Sequence, residues 1–321
     1  GIADCHYLSA QTRDTQGQSA AYGEGEKTQI MTIGYNLDQK MKIHTIIYMA
    51  LALTVAGLTS CNQDILPADE PTDAKDMEMK LVMSHPSQKV DAAATDFEEG
   101  DKVGIFVTQA DKPLQLGGNV VNNEAMTFSG NGWTAARTLY WDDGTYNVYA
   151  YYPYINSLSS IEDQPFSVCL DQSTEKTATI PGGYEASDLL HATCKGVAAS
   201  DEPVSLTFRH IMSKLTIRLI KGEDFEGEMP VNATVYVHNT VPEATIDLQA
   251  GVATRNAKAV RQTITAHHDG DYLYSAIVVP QRIENRMPLI EVIMNNISYL
   301  YESKFQFKPG MEHLVNLIIP N

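Results

Sequence analysis

The sequence predicts an all-β protein, and three observations lead to this class. After residue 77, short runs alternate apolar and polar residues with a period of two, as strands with one buried face do. Glycine, proline, asparagine and aspartate interrupt these runs about every ten residues. No long stretch after residue 61 has the 3.6-residue period of an amphipathic helix. Together these patterns favour two β-sandwiches in tandem.

The first predicted sandwich covers residues 77–202. Its first strand has apolar residues at alternate positions, namely Met77, Met79, Leu81 and Met83. The strongest strand pattern is at 145–152, because aromatic and β-branched residues suit a pleated surface. Residues 181–193 are expected to be irregular, with a helical turn near Asp188. Further strands are predicted at 103–108, 126–128, 138–141 and 166–170.

The second predicted sandwich covers residues 203–321, after a break at 201–203. It opens with a long alternating run at 204–219, which is expected to bend at 210–213. Strands are then predicted at 233–238, 244–248, 262–266, 273–279, 289–294 and 298–305. The last predicted strand is rich in apolar side chains: Leu314, Val315, Leu317, Ile318 and Ile319.

Residues 41–60 have the features of a secretory signal peptide. Lys42 provides a basic start, an apolar run follows at 46–58, and small residues precede Cys61. The run is shorter than the roughly 20 apolar residues that a membrane-spanning helix needs. The last four residues resemble a bacterial lipobox, in which the cysteine is acylated, so Cys61 is the predicted lipidation site.

The segments on either side of this signal are not expected to fold. Residues 1–40 lie upstream of Met41, where a signal would start, so they are interpreted as a non-native extension. Residues 61–76 contain two prolines and several acidic side chains, which is typical of a flexible tether.

Charge and cysteine content narrow the function classes. The net charge of −17 argues against nucleic acid as a partner, because phosphate binding needs basic patches.

Cys169 and Cys194 could form a disulfide in an oxidising compartment, although the sequence does not give the separation of their Cα atoms.

Residues that could carry chemistry have simpler structural interpretations. His210 has no accompanying nucleophile motif, which favours a structural histidine at a strand bend. Residues 142–144 (Asp-Asp-Gly) lack the spacing of a calcium loop and suit a hairpin turn. Residues 267–269 (His-His-Asp) are a poor chelate and are expected to lie in a polar loop. The sequence therefore predicts no catalytic residues, no metal site and no cofactor.

Seven aromatic residues cluster between positions 140 and 154. Alternation along a strand places Tyr149 and Tyr151 on one face and Tyr146, Tyr152 and Tyr154 on the other. Aromatic residues on both faces favour packing over an exposed platform that stacks on sugars, although the platform remains an alternative.

Six segments in a fixed order carry a resemblance to a known family. They are the lipobox at 58–61, F-x-x-G-D-x-V-G at 97–104 with the strand that follows, the Tyr/Trp-rich block at 140–154, S-D-L-L-H-A at 187–192, L-x-F-x-H-x-M-S-K-L at 206–215, and F-K-P-G at 307–310. With these segments the chain resembles the fimbrillin-like surface lipoproteins of the Bacteroidales, the subunits of type V pili.

The resemblance implies two tandem transthyretin-like β-sandwich domains of Greek-key type, lipid-anchored export to the outer membrane, and assembly into a cell-surface fimbria. In that assembly a protease releases the first strand, and a strand donated by another fimbrial subunit fills the groove. The predicted removable strand is the one with Met77, Met79, Leu81 and Met83, and the predicted donor is the last strand.

One feature departs from part of this family. No arginine lies between Cys61 and Arg137, so a trimming protease would have to cut elsewhere, for example at Lys75, Lys80 or Lys89. The departure leaves open a different protease or a subunit that is never trimmed, either an anchor or a tip, and the sequence does not distinguish these from a stalk subunit. The alternative function is a monomeric surface lipoprotein that binds a glycan or a host protein receptor.

Overall fold

The computed structural model describes residues 77–86, 97–177 and 180–320. The predicted extension, signal peptide and tether, including Cys61, lie outside these residues. Strands dominate the described parts, where the one helix is the short α1 (Gly183–Ser187). The all-β class predicted from the sequence is therefore confirmed.

The first half of the chain contributes a six-stranded antiparallel sheet with the strand order β11-β9-β7-β3-β4-β5. Two further pairs accompany it: β1 with β6, antiparallel, and β2 with β10, parallel. The strands are β1 (Met77–Glu78), β2 (Leu81–Ser84), β3 (Lys102–Gln109), β4 (Val121–Phe128), β5 (Trp133–Ala135), β6 (Tyr140–Trp141), β7 (Thr145–Tyr152), β8 (Gln164–Ser167), β9 (Leu190–Ala198), β10 (Val204–Thr207) and β11 (Arg209–His210).

The second half contributes two four-stranded sheets, β17-β18-β12-β21 and β16-β13-β19-β20. A three-stranded sheet, β15-β14-β8, joins the two halves, because β8 comes from the first. The strands are β12 (Ser213–Lys221), β13 (Thr234–Thr240), β14 (Glu243–Asp247), β15 (Val252–Arg255), β16 (Gln262–Thr265), β17 (His267–Gly270), β18 (Leu273–Val278), β19 (Gln281–Met294), β20 (Ile297–Phe307) and β21 (Glu312–Ile319).

Two apolar clusters form the core. The first cluster combines one face of the six-stranded sheet with side chains from β1, β2, β6 and β10. The second cluster combines strands β12 to β14 and β18 to β21 with side chains from the opposite face of β3 and β7. Val204, Leu206 and Phe208 follow the predicted break but pack in the first cluster, because β10 pairs with β2.

Strand β7 lies between the two clusters. Tyr146 and Tyr152 pack in the first cluster, whereas Tyr149 and Tyr151 pack in the second. Tyr149 and Tyr151 are 4% and 1% exposed, so they cannot act as a platform for sugars. The interpretation of the aromatic residues as packing residues is therefore correct for these four rings.

Gly104 is required by the close approach of β3 to β7. It lies opposite Tyr151, and a Cβ atom at Gly104 would overlap the Tyr151 ring. The ring cannot easily move, because its hydroxyl donates to Asn123 Oδ1 at 2.6 Å. We expect Gly104→Ala to lower the free energy of unfolding by about 2 kcal/mol, because the added methyl group overpacks the core. Urea denaturation measures this value, and Gly117→Ala, which adds a methyl group in open space, should change it little.

The sequence interpretation was wrong for three segments. Part of the segment expected to be irregular forms β9, whose sequence has few strong strand formers and whose conformation is set by pairing with β7 and β11. The expected polar loop at 267–269 lies in β17, paired with β18. The turn at 142–144 is not a hairpin, because β6 pairs with β1 whereas β7 pairs with β3 and β9.

No helix in the described ranges is long and apolar enough to cross a bilayer.

Candidate functional site

The first strand lies in a groove lined by the first cluster. Met79, Leu81 and Met83 are each less than 10% exposed, and Met77 packs against the same cluster. The residues between them point outward, and Val82 is 53% exposed. This alternation is the one expected for a strand that covers a core with one face.

Backbone hydrogen bonds hold this strand on both edges. Met79 N donates to Leu139 O at 2.8 Å, on the side of β6. Val204 N donates to Lys80 O at 2.8 Å, on the side of β10. We call the space between β6, β10 and the six-stranded sheet the first-strand groove. Any strand that replaced residues 77–84 would find the same backbone partners there.

Aromatic rings close the groove where the first strand ends. The centroid of the Phe97 ring is 5.1 Å from that of His85, 4.9 Å from that of Trp133 and 5.4 Å from that of Phe208. These rings meet edge to face, which is a favourable geometry for aromatic pairs. The indole N–H of Trp133 also donates to Met83 O at 3.4 Å. Ring packing and this hydrogen bond therefore hold Met83 and His85 at the end of the first strand.

A charged clamp lies beside the same end. Lys176 Nζ donates to Glu98 Oε2 and Asp101 Oδ1, both at 2.8 Å. Burial alone would lower the pKa of Lys176, but its hydrogen bonds to Asp101 and Glu98 outweigh burial and raise it. Both carboxylates belong to the F-x-x-G-D segment, although nothing in the sequence pointed to Lys176 as their partner.

The last strand, β21, is built into the second cluster. It pairs in parallel with β12 from Glu312 to Ile319. Among the predicted donor residues, Val315, Leu317 and Ile319 are buried in the second cluster. Leu314 and Ile318 are 55% and 54% exposed. The apolar residues of β21 therefore form two rows: three side chains face the core, and two face solvent. The two exposed residues explain why the alternation looked imperfect in the sequence.

The inner rows of the two strands have the same spacing. Met79, Leu81 and Met83 occupy alternate positions of the first strand, as Val315, Leu317 and Ile319 do in β21. Both strands also run parallel to a neighbour, β2 to β10 and β21 to β12. A strand with the pattern of β21 could therefore present three side chains to the first-strand groove in the same register.

A contact between the two clusters escaped the sequence interpretation. His191 on β9 is buried, and its Nε2 lies 2.9 Å from Leu248 O. Arg209, directly opposite His191, donates from Nη2 to Gly251 O at 2.7 Å. Gly251 has a φ of +65°, and a Cβ atom there would overlap both side chains. We call these residues the β9–β14 contact, because they bind the six-stranded sheet to the turn after β14.

The two cysteines named from the sequence are buried at different places in the fold. Cys194 packs in the first cluster, on β9. Cys169 follows β8, and its backbone N–H donates to Ser187 Oγ at 2.8 Å. The adjacent Val168 and Leu170 pack in or against the second cluster. A disulfide between Cys169 and Cys194 stays a prediction.

The described residues include no group of three or more histidine, cysteine, aspartate or glutamate side chains placed to hold a metal ion. His210 lies in the short strand β11, and its Nδ1 is 2.8 Å from Asp188 Oδ1. This contact joins the two motif segments that contain Asp188 and His210, and it fits the structural role predicted for the histidine.

Comparison with known proteins agrees with this architecture. The family model for fimbrillin-like proteins matches residues 91–321. No curated protein matches the chain significantly.

Two solved structures share the fold. A proposed cell adhesion protein from Bacteroides uniformis is 23% identical, with a TM-score of 0.59 over 78% of this chain and 95% of its own. A proposed cell adhesion protein from Bacteroides ovatus is 19% identical, with a TM-score of 0.58 over 75% of this chain and 91% of its own. The family match spans most of the sequence, from before β3 to the end of β21. The chain therefore belongs to the fimbrillin-like family.

Proposed function

We propose that this protein is a structural subunit of a cell-surface fimbria, that it supports adhesion, and that it has no enzymatic role. The observation that carries the proposal is the first strand, which fills a groove through alternate buried side chains and backbone hydrogen bonds. Membership of the fimbrillin-like family supports the same role. The partners would be other fimbrial subunits.

Strand donation explains how such a groove could serve assembly. Removal of residues 77–84 would expose three apolar pockets and unpaired backbone groups of β6 and β10. Refilling the pockets with a neighbour's strand would bury three side chains, a gross gain of about 5–9 kcal/mol before the entropy of ordering is subtracted. We propose β21 as the donor, through Val315, Leu317 and Ile319.

Donation also has a cost, because β21 is already paired. Leaving β12 would expose the same three side chains in the donor's second cluster. The exchange moves buried surface from one subunit to another, so the empty groove of a trimmed acceptor must provide the net driving force. Untrimmed subunits, whose grooves are full, are therefore expected not to polymerise in this way.

The remaining parts of the proposal concern processing and location. Acylation of Cys61 would tether the precursor to the outer membrane, exposed on the cell surface. Of the three candidate cut sites, Lys75 and Lys80 would leave all or part of the first strand attached, whereas cleavage at Lys89, which follows the strand, would release all of it. The two domains would be transthyretin-like sandwiches. Packing of residues 204–208 in the first cluster supports a boundary some residues later than 202/203, near Ile211, which packs in the second cluster.

A competition assay tests strand donation. Trimmed protein, from which the first strand (residues 77–84) has been removed, should form a ladder of multimers at high concentration. The multimers should resist sodium dodecyl sulfate, because donated strands dissociate slowly. Excess synthetic peptide with the sequence of residues 77–84 should abolish the ladder by filling the groove. The same peptide with Leu81→Asp is the matched control and should leave the ladder intact. A trimmed protein that stays monomeric without peptide would contradict the proposal.

The alternative is a monomeric surface lipoprotein that binds a glycan or host protein. It has less support, because Tyr149 and Tyr151, the rings that a sugar-stacking platform would need on the surface, are buried in the second cluster.

A further inference from the structure

Strand β21 is the edge of its sheet. It pairs with β12 on one side, and no described strand pairs with it on the other. The ladder with β12 runs without a register shift from Glu312 to Ile319. A straight, regular edge strand is a template on which another strand can pair.

The direction of the free backbone groups follows from two hydrogen bonds at the ends of the strand. Lys214 N donates to Met311 O at 3.0 Å, and Gly222 N donates to Ile319 O at 2.9 Å. Backbone groups of alternate residues point to the same side of a strand, so the odd-numbered residues face β12. The even-numbered residues therefore direct their N–H and C=O groups to the open edge: Glu312, Leu314, Asn316 and Ile318.

The side chains of the same residues share the outer face of the sheet. Leu314 and Ile318 are more than half exposed, and Ile220, the neighbour of Ile318 on β12, is 38% exposed. Apolar side chains beside unpaired backbone groups give an incoming strand both hydrogen bonds and apolar surface to bury.

The edge of the other four-stranded sheet differs. Pairing of β20 with β19 is interrupted by two register shifts, and β20 carries Glu302 and the exposed Lys304. Bulges and charged side chains are common means by which edge strands avoid pairing. Between Leu314 and Ile318, β21 has neither.

We propose that two copies of this chain pair through the open edges of β21, antiparallel, with the two-fold axis at Asn316. In this register Leu314 of each copy lies beside Ile318 of the other, and the two Asn316 residues face each other. No like charges face each other at the centre of the pair, where they would destabilise antiparallel pairing. The facing pairs formed by Leu314, Asn316 and Ile318 each exchange two backbone hydrogen bonds. The β17-β18-β12-β21 sheets of both copies then form one continuous sheet.

The pairing does not depend on strand donation, and it concerns the untrimmed chain. A contact made by one strand edge per copy is small, below about 1,200 Å², so we expect a weak dimer that forms in the micromolar range. If β21 is also the donor strand, dimerisation would cover its open edge until the fimbria assembles.

Sedimentation velocity of the untrimmed chain tests the dimer across a series of protein concentrations. Asn316→Lys places two ammonium groups at the two-fold axis and should weaken dimerisation about tenfold or more. The control is Gln306→Lys, which adds the same charge to an exposed site on β20 and should leave the dimer unchanged. Circular dichroism verifies that both variants fold. A wild-type chain that is monomeric throughout, or two variants that behave alike, would overturn the proposal.

Cysteine crosslinking provides an independent readout of the register. The Cα atoms of facing residues in a hydrogen-bonded antiparallel pair are about 5.5 Å apart, within the range that a disulfide spans. Asn316→Cys should therefore give a covalent dimer on oxidation, well above the wild-type background, whereas Gln306→Cys should not. Equal crosslinking of both variants would exclude this register. Since the strand-donation assay uses trimmed protein, either proposal can fail while the other holds.

Discussion

Leu81→Asp is expected to displace the first strand from its groove and to lower the free energy of unfolding by about 4 kcal/mol. Leu81 is buried in the first cluster between Met79 and Met83. The substitution removes the packing of a buried leucine, which contributes roughly 2–5 kcal/mol. It also places a carboxylate inside an apolar cluster, so the group must either take up a proton or draw the strand into solvent. Both effects act in the same direction.

The adjacent residue provides a matched control. Val82 lies on the same strand but is 53% exposed, so Val82→Asp should change the free energy of unfolding by only about 0.5 kcal/mol. Guanidinium denaturation measures the free energy of unfolding of both variants. Faster proteolytic cleavage at Lys80, within the first strand, would show that the strand has left the groove. Equal stability of the two variants would show that the first strand contributes little to the first cluster.

Acidification between pH 6.5 and pH 4 is expected to destabilise the protein by about 3 kcal/mol through His191. Burial is the main reason why the pKa of His191 is lowered from 6.5 to about 4, and the nearby Arg209 lowers it further, although the bond to Leu248 O opposes both. In this interval the unfolded chain binds a proton that the folded chain excludes. The contribution of His191 is therefore fully present above pH 6.5 and is lost as the pH falls to about 4.

Denaturation at a series of pH values tests this expectation. His191→Gln removes the titration and retains an amide that can donate to Leu248 O, so its stability should depend less on pH by about 3 kcal/mol over the interval. Asp247 and Lys195 also act on His191 and should be left unchanged. His268→Gln, at an exposed site, is the control for the substitution itself. A parallel pH dependence of wild type and His191→Gln would exclude His191 as the cause.

Local patterns in the sequence were sufficient to predict the strand class and the inward residues of the first strand. A period of two depends only on which residues are apolar, so Met79, Leu81 and Met83 could be assigned to one face without knowledge of the partner strands. The same reasoning identified the apolar residues of β21. It did not reveal that Leu314 and Ile318 point away from Val315, Leu317 and Ile319 into solvent.

Long-range contacts could not be predicted in this way. The sequence LHATCKGVA forms β9 because β7 and β11 flank it, not because its residues favour strands. The β9–β14 contact joins His191 and Arg209 to a turn 42 residues beyond Arg209, and no pattern in the sequence relates these positions. Lys176 likewise meets Asp101 across 75 residues. Such pairs depend on the topology of the sheets, which one sequence does not specify.

The position of β7 between the two clusters has a mechanical consequence. In the proposed fimbria, tension would pass through every subunit, and a subunit made of two domains joined by a flexible linker would stretch at the linker first. Here β3 and β7 contribute side chains to both clusters, so the load passes from one half to the other through a shared sheet. Separating the halves would expose Phe106, Tyr149 and Tyr151 to water. We therefore expect the chain to resist pulling forces as one unit and to unfold in a single step.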